Sequence, residues 1–234
     1  MTLIVETILC RPKTMDNYAY LITDKETGIS AVIDPSEAAP IITRCQKLNI
    51  KPSFVLNTHH HFDHTQGNAE LKKFFNLKIV GAEERIPEVD TILKPGDIFY
   101  IGKSQGQMID VSAHTRGHVI WHFPKDKLLF TGDTLFNLCI GGLFEGTAKN
   151  MYHALEKIKS LPDETLFYPG HEYTPNAIPF ALKHCNSELL VEYIKTAERR
   201  LSRNIPNHPI ALGAEKKCNP YLAATTLENF ENLF

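Results

Sequence analysis

The chain reads as an α/β fold, with residues 1–172 strand-rich and interspersed with helices and residues 173–234 helical. Three observations predict this. Short apolar runs bounded by turn residues open the chain, strand and helix spacings alternate from residue 36, and helical spacing dominates after residue 173.

Residues 3–10, 18–23 and 29–33 are strand-like, with Asp16-Asn17 and Lys25-Glu26-Thr27-Gly28 as the turns between them, so the start is antiparallel. Within 36–48, Ile41, Ile42, Cys45 and Leu48 recur at helical spacing and lead into a strand at 53–56. Residues 68–75 predict a helix and 78–81 a strand, followed by a strand series at 97–101, 107–113, 118–123 and 127–131. From Ala148, a stripe of Met151, Leu155, Ile158 and Leu161 is helical and ends at Pro162, and 165–168 is the last strand. In the terminal region, 178–184 and 188–203 predict helices, the second with Leu189, Leu190, Tyr193, Ile194, Ala197 and Leu201 along one side. This region is expected to pack near the site as a substrate-binding element, because ligands commonly bind where two substructures meet.

The length of 234 residues is enough to bury a proper core, and 43% hydrophobic with 22% charged residues is ordinary for a globular protein. A net charge of −2 argues against a phosphate-binding surface, so nucleic acid is not an expected partner. The N-terminus lacks a basic segment and meets Glu6 before a signal-length apolar run develops, and no later stretch reaches spanning length. A cytoplasmic protein with no membrane partner is expected. The five cysteines are odd in number, scattered and free of Cys-x-x-Cys pairs, which fits reduced thiols.

Chemistry concentrates in Thr58-His59-His60-His61-Phe62-Asp63-His64, directly after the apolar run Phe54-Val55-Leu56. On an extended backbone His59 and His61 point one way and His60 the other, so two imidazoles can share an ion. Asp63 and His64 follow the turn and can begin a second site. Imidazole and carboxylate suit zinc, iron or manganese. Three more segments place His or Asp beside Gly at a strand end: Ser112-Ala-His-Thr-Arg-Gly-His118, Thr131-Gly-Asp-Thr-Leu-Phe136 and Tyr168-Pro-Gly-His-Glu-Tyr-Thr174. They bring the ligand count to seven, enough for two ions with Asp133 and a water or hydroxide as bridges. Residue chemistry alone does not choose between His114 and His118.

With these motifs, and with Phe144-Glu-Gly-Thr147, Asp16-Asn17-Tyr18 and Ile33-Asp34-Pro35, the chain resembles glyoxalase II, the hydroxyacylglutathione hydrolase family of the metallo-β-lactamase fold, over roughly residues 15 to 182. The resemblance implies a four-layer αββα sandwich with a small C-terminal helical region. It implies two divalent metal ions, zinc first with iron or manganese as alternatives. His59, His61 and His114 would hold the first metal, Asp63, His64 and His171 the second, with Asp133 bridging. His60 and His118 take supporting roles, and His122, His153, His184 and His208 lie outside the motifs. The implied reaction is hydrolysis of a small-molecule thioester such as S-lactoylglutathione by a metal-bridging hydroxide, giving a hydroxy acid and a free thiol, with Asp133 and Asp63 as catalytic carboxylates.

Tyr173, Phe144 and Gly142 match the family's substrate contacts, but Gly142 stands where the family carries a basic residue. The segment Asn219-Pro-Tyr-Leu-Ala-Ala-Thr-Thr226 likewise has no cation. Glutathione contacts are therefore altered, with Lys149, Lys216 and Lys217 as candidate replacements. The alternatives are a thioesterase for a different low-molecular-weight thiol and a persulfide dioxygenase with mononuclear iron. The complete seven-ligand set favours the dinuclear hydrolase.

Overall fold

The structure, a computed structural model, describes residues 2–234. It opens with β1 (Leu3–Cys10), β2 (Asn17–Asp24), β3 (Ser30–Ile33), α1 (Ala38–Leu48), β4 (Phe54–Leu56), α2 (Phe62–Thr65), α3 (Asn68–Phe75), β5 (Lys78–Gly81) and β6 (Thr91–Ile92). The six strands form one sheet in chain order, antiparallel through β3 and parallel from β3 onward. Connection length explains the switch: tight loops reverse the chain between β1, β2 and β3, whereas α1 and α3 carry it back across the sheet to start a parallel neighbour.

The second half holds β7 (Ile98–Ile101), β8 (Ser104–Asp110), β9 (Val119–Phe123), β10 (Leu128–Gly132), β11 (Leu135–Phe136), β12 (Cys139–Ile140), α4 (Ala148–Lys159) and β13 (Leu166–Pro169). It ends with α5 (Thr174–His184), α6 (Glu188–Leu201), β14 (Ile210–Ala211), α7 (Leu212–Cys218), α8 (Pro220–Ala223) and α9 (Leu227–Glu231). A second six-stranded sheet runs β14-β13-β10-β9-β8-β7, and β11 and β12 form a separate hairpin.

Side chains alternate across each sheet and sort into layers. Tyr18, Tyr20 and Ile22 face inward to meet Trp121, Phe123 and Phe130 from the second sheet, forming the central core. Ala19 and Leu21, on the other face of β2, pack against Ile41 and Cys45 of α1 and Leu71 of α3. On the far side, Ile120, Leu129 and Phe167 meet Met151, Leu155 and Ile158 of α4. The result is helix, sheet, sheet, helix: the expected four-layer sandwich.

The terminal region is helical as expected, but it does not stand apart. β14 pairs antiparallel with β13, and Leu212, Leu222 and Phe230 share a core with Leu129 and Phe167. One strand shifts from its expected place: 107–113 is replaced by Ser104–Asp110, because β7 turns tightly and pairs Ile101 with Ser104. Residues 111–113 thereby leave the sheet and begin the loop that carries His114.

Candidate metal centre

His59, His61, Asp63 and His64 follow β4, and Asp133 and His171 follow β10 and β13, strands with parallel partners, at the edge where open α/β sheets place their ligands, while His114 follows the antiparallel β8. Backbone bonds lock the two edges together, with Val119 N–H donating to Thr58 O (2.9 Å) and Tyr18 N–H to Gly170 O (2.8 Å). After β4 the chain bends at Thr58 and His59 and then makes the single helical turn α2 after His61. That turn swings Asp63 and His64 to the side opposite His61. On the second sheet, the pairing of β10 with β13 slips between Phe130 and Gly132, and Gly132 adopts φ +48°, re-aiming Asp133 into the cleft. Gly170, at the end of β13, must lack a side chain. A Cβ there would lie 2.4 Å from Asp133 Oδ1 and 2.8 Å from His64 Cε1.

Of three groups of potential ligands, each with its donor atoms within 4.8 Å of one another, two are disjoint, His59, His61 and His114, and Asp63, His64 and His171, while the third, Asp34, His59 and His64, shares a member with each. His114 Nε2 is 3.1 Å from His61 Nδ1, and His64 Nε2 is 3.3 Å from His171 Nε2. Asp133 stands between the groups. Its Oδ2 is 3.4 Å from His171 Nε2 and 3.6 Å from His114 Nε2, and its Oδ1 is 3.2 Å from His64 Nε2. All seven expected ligands therefore converge on one place.

Second contacts orient the rings. His64 Nδ1 faces Asp34 Oδ2 (3.1 Å), His114 Nδ1 faces Gly142 O (2.7 Å), and His171 Nδ1 faces Met15 O (2.8 Å). These oxygens only accept, so each Nδ1 carries a proton and each Nε2 points to the centre, where it can ligate once it is deprotonated. Thr58 Oγ1 donates to Asp34 Oδ2 (2.6 Å) and so accepts from His59 Nδ1 (3.0 Å). That leaves His59 Nε2 buried with no hydrogen-bond partner, a state a metal ion would relieve. Asn17 Nδ2 fixes Asp63 through its carbonyl (2.9 Å) and Oδ2 (3.0 Å).

The other histidines of the motifs stand outside the cluster. His60 Nδ1 pairs with Glu83 (2.8 Å). His118 accepts from Asp133 N–H at Nε2 (3.1 Å) and stacks on His59 at 4.6 Å, supporting both neighbours from behind. Asp34, Met15 and the Gly142 carbonyl were not readable as orienting groups, since two act through backbone atoms that no residue type advertises.

Charge follows this arrangement. Burial favours the neutral carboxyl at Asp133, but the His64 and His171 imidazoles outweigh it and hold the group well below the usual carboxylate range. Asp63 is likewise lowered against burial, by His171 and His64. Burial lowers His171, yet Asp133 and Asp63 reverse the sign and push it up to about 9, and Asp133 and Asp34 hold His64 well above its usual value. His59, buried among imidazoles, is driven well below.

Above the centre lies a cavity of about 390 Å³ whose floor includes Asp63, Asp133 and His171. Its walls are aromatic. Tyr173 stacks on His171 (4.8 Å), and Phe144 sets its ring edge-on to His61 (5.3 Å) and His114 (5.1 Å). Gly142 lines the same wall, so all three expected substrate contacts meet there. Among the described residues no Lys or Arg lines the cavity, and of residues 173–234 only Tyr173 does. Lys216 is engaged elsewhere, on Leu161 O (2.7 Å) and Asp163 (2.5 Å).

Residues 14–171 match the model of the metallo-beta-lactamase superfamily. A hydroxyacylglutathione hydrolase of Pelagibacter ubique is 42% identical over 222 residues, 93% of each chain. A hydroxyacylglutathione hydrolase of Rhodospirillum rubrum is 39% identical over 94% of this chain and 87% of that one. The chain belongs to the hydroxyacylglutathione hydrolase family of that superfamily. Among solved structures, ETHE1 from Myxococcus xanthus superposes with a TM-score of 0.75 at 23% identity, covering 98% of this chain and 89% of that one, which shows the shared fold. The family's metal dependence agrees with the His/Asp groups, which fit divalent ions. Among the described residues no helix is long and apolar enough to cross a membrane.

Proposed function

We propose that this metal-dependent thioester hydrolase acts on S-(2-hydroxyacyl) thioesters of a small thiol, releasing a hydroxy acid and the thiol. The observation that supports it most is Asp133, which touches both ligand groups at the floor of the cavity. His59, His61 and His114 would hold one ion and Asp63, His64 and His171 another, with zinc preferred and iron or manganese alternatives that the donor set also suits. When bound, divalent ions supply Lewis acidity for ionising water and polarising the acyl carbonyl.

The chain's own groups do the rest. Asp133 and Asp63, both held as carboxylates, would orient the attacking water by accepting its hydrogen bonds. Tyr173 keeps its phenol proton, because burial and the Asp133 and Asp63 charges push its ionisation up, and its hydroxyl can donate to the substrate. Phe136 and Phe144 exclude water from around the thioester. The leaving thiol ionises with a pKa of about 8.5, so no protonated side chain has to assist its departure.

The acyl half and the thiol half are supported differently. With Gly142 in the wall and no cation lining the cavity, the two carboxylates of glutathione find no charged partner, which favours a less acidic low-molecular-weight thiol. Elemental analysis of the purified protein, beside turnover of one hydroxyacyl group carried on glutathione and on uncharged thiols, tests both halves. Two metal equivalents and faster turnover of the uncharged thiol esters are expected. Oxygen uptake with a persulfide and a single iron would replace the hydrolase reading. A Cβ at Gly142 meets nothing closer than Phe144 Cε2 at 3.4 Å, an ordinary contact, so Gly142→Arg is the direct test. A charge-assisted bond is worth about 1.5–3 kcal/mol, so the variant should lower KM for the glutathione ester roughly tenfold or more and leave the uncharged esters unchanged.

A further inference from the structure

The hairpin β11–β12 touches both halves of the centre and is itself held from below by the terminal helices. At its first strand, Phe136 packs on His171 (5.8 Å) and Tyr173 (4.9 Å). Beyond its second strand, the Gly142 carbonyl takes the His114 Nδ1 proton at 2.7 Å. The turn between them, Asn137–Leu138, puts Leu138 at φ +62°, a left-handed conformation that a leucine adopts only when something holds it. Glu215 of α7 holds it. This fully buried carboxylate accepts from Leu138 N–H at 2.9 Å and from Asn219 Nδ2 at 3.2 Å through Oε2, and from the Tyr193 hydroxyl through Oε1. Asn137 Nδ2 donates to Tyr193 OH (2.8 Å), and Asn219 Nδ2 also reaches Cys139 O (3.1 Å), so both turn residues and the second strand are clamped.

We propose that Glu215 is a positioning residue: by fixing the 137–138 turn it sets where the Gly142 carbonyl meets His114 and where Phe136 meets His171. This rests on the reading of those histidines as metal ligands, and it gives the terminal region a role in the site although only Tyr173 lines the cavity. No group of opposite charge faces Glu215. The titratable neighbours are Tyr193, Cys139 and Cys218, and burial pushes the carboxyl up to about 7. An uncharged isostere is therefore tolerated. In Glu215→Gln the amide oxygen can keep the Leu138 and Asn219 bonds while the NH2 meets the Tyr193 oxygen, so only the Tyr193 hydroxyl proton loses its acceptor. Glu215→Leu leaves Leu138 N–H and the Tyr193 hydroxyl without their acceptor and Asn219 Nδ2 with only its bonds to Cys139 O and Phe136 O.

Metal uptake is the decisive readout, measured as Zn(II) binding to the full chain against a chromophoric chelator, with thioester turnover recorded separately. Groups that orient ligands from outside typically change metal affinity 10- to 100-fold. Glu215→Leu should weaken uptake at least tenfold, Tyr193→Phe severalfold in the same direction, and Glu215→Gln less than twofold. Leu190→Ala, a cavity in the same helical core with no bond to the hairpin, is the control for simple loss of stability. It should lower the unfolding temperature and leave zinc affinity unchanged. If Tyr193→Phe, and Glu215→Leu where it folds, bind zinc as Leu190→Ala does, Glu215 is only a packing residue and the proposal fails. A chain with normal zinc binding in every variant but no thioester turnover would instead overturn the proposed activity as well as this role. Metal-affinity losses in the expected order, without thioester turnover, would leave the positioning role standing and remove only the substrate reading.

Discussion

Asp133 concentrates the chemistry of this site in one side chain, since its two oxygens reach His64, His114 and His171 at 3.2–3.6 Å. Asp133→Asn keeps the shape and removes the charge, so turnover should fall at least about 100-fold. Near-normal activity with full metal content would end the assigned role. A second consequence concerns protons. Without a metal, His171 is raised to about 9 and is protonated at pH 7, and Asp133 and Asp34 shift His64 in the same direction. Metal ligation needs them neutral. Zinc uptake at pH 7 should therefore release protons, and affinity should rise with pH until about 9. Calorimetry in buffers of different ionisation enthalpy reads the release directly, and a net of zero protons at pH 7 would contradict it. At this scale the sequence was most legible. Ligands are side chains and their types are visible, whereas Met15 and Gly142 orient His171 and His114 through carbonyls, which every residue has.

Elements were legible where a local pattern creates them and hidden where a partner does. β2 and β10 carry their own apolar runs and stood out, but β6 and β14 are two residues long and exist because β5 and β13 offer an edge to pair with. The turn α2 was hidden for a different reason: four residues are too few to show a helical period, and three of them, Asp63, His64 and Thr65, are polar yet buried by the site rather than by a core. The strand ends that carry ligands depend on close approach. At Gly170 an added Cβ would sit 2.4 Å from Asp133 Oδ1, inside any real contact distance. Gly170→Ala should displace Asp133 or His64, cutting metal content on the Asp63, His64 and His171 side and activity about tenfold or more, while the sandwich stays folded. Far-ultraviolet circular dichroism with elemental analysis separates these effects, and full metal loading in the variant would show that the site yields more easily than the geometry allows.

For the molecule as a whole, the boundary near residue 172 marks a change in secondary structure, while packing runs straight across it. Phe167 and Leu129 are covered by Leu212, Leu222 and Phe230, and β14 caps the second sheet, so residues 1–172 and 173–234 should unfold in one cooperative transition. Two separated transitions by calorimetry would show independent units. The same burial gives stability a distinctive pH dependence through Glu215. Its carboxyl is raised from 4.5 to about 7 in the folded chain, because burial penalises the charged form. Below about pH 4.5 the group is protonated in both states and its contribution is fully present. As pH climbs to 7 the unfolded chain ionises first, the folded chain resists, and that contribution is lost. Asp63 and Asp133, whose ionisation is lowered, act in the opposite sense and lose their contribution only as the solution turns acid. The Glu215 effect is isolated by comparison: with metal chelated, the urea midpoint of Glu215→Gln relative to the parent should rise between pH 5 and pH 8. An identical difference at both pH values would mean that the carboxyl titrates normally and is better solvated than its place beneath the hairpin implies.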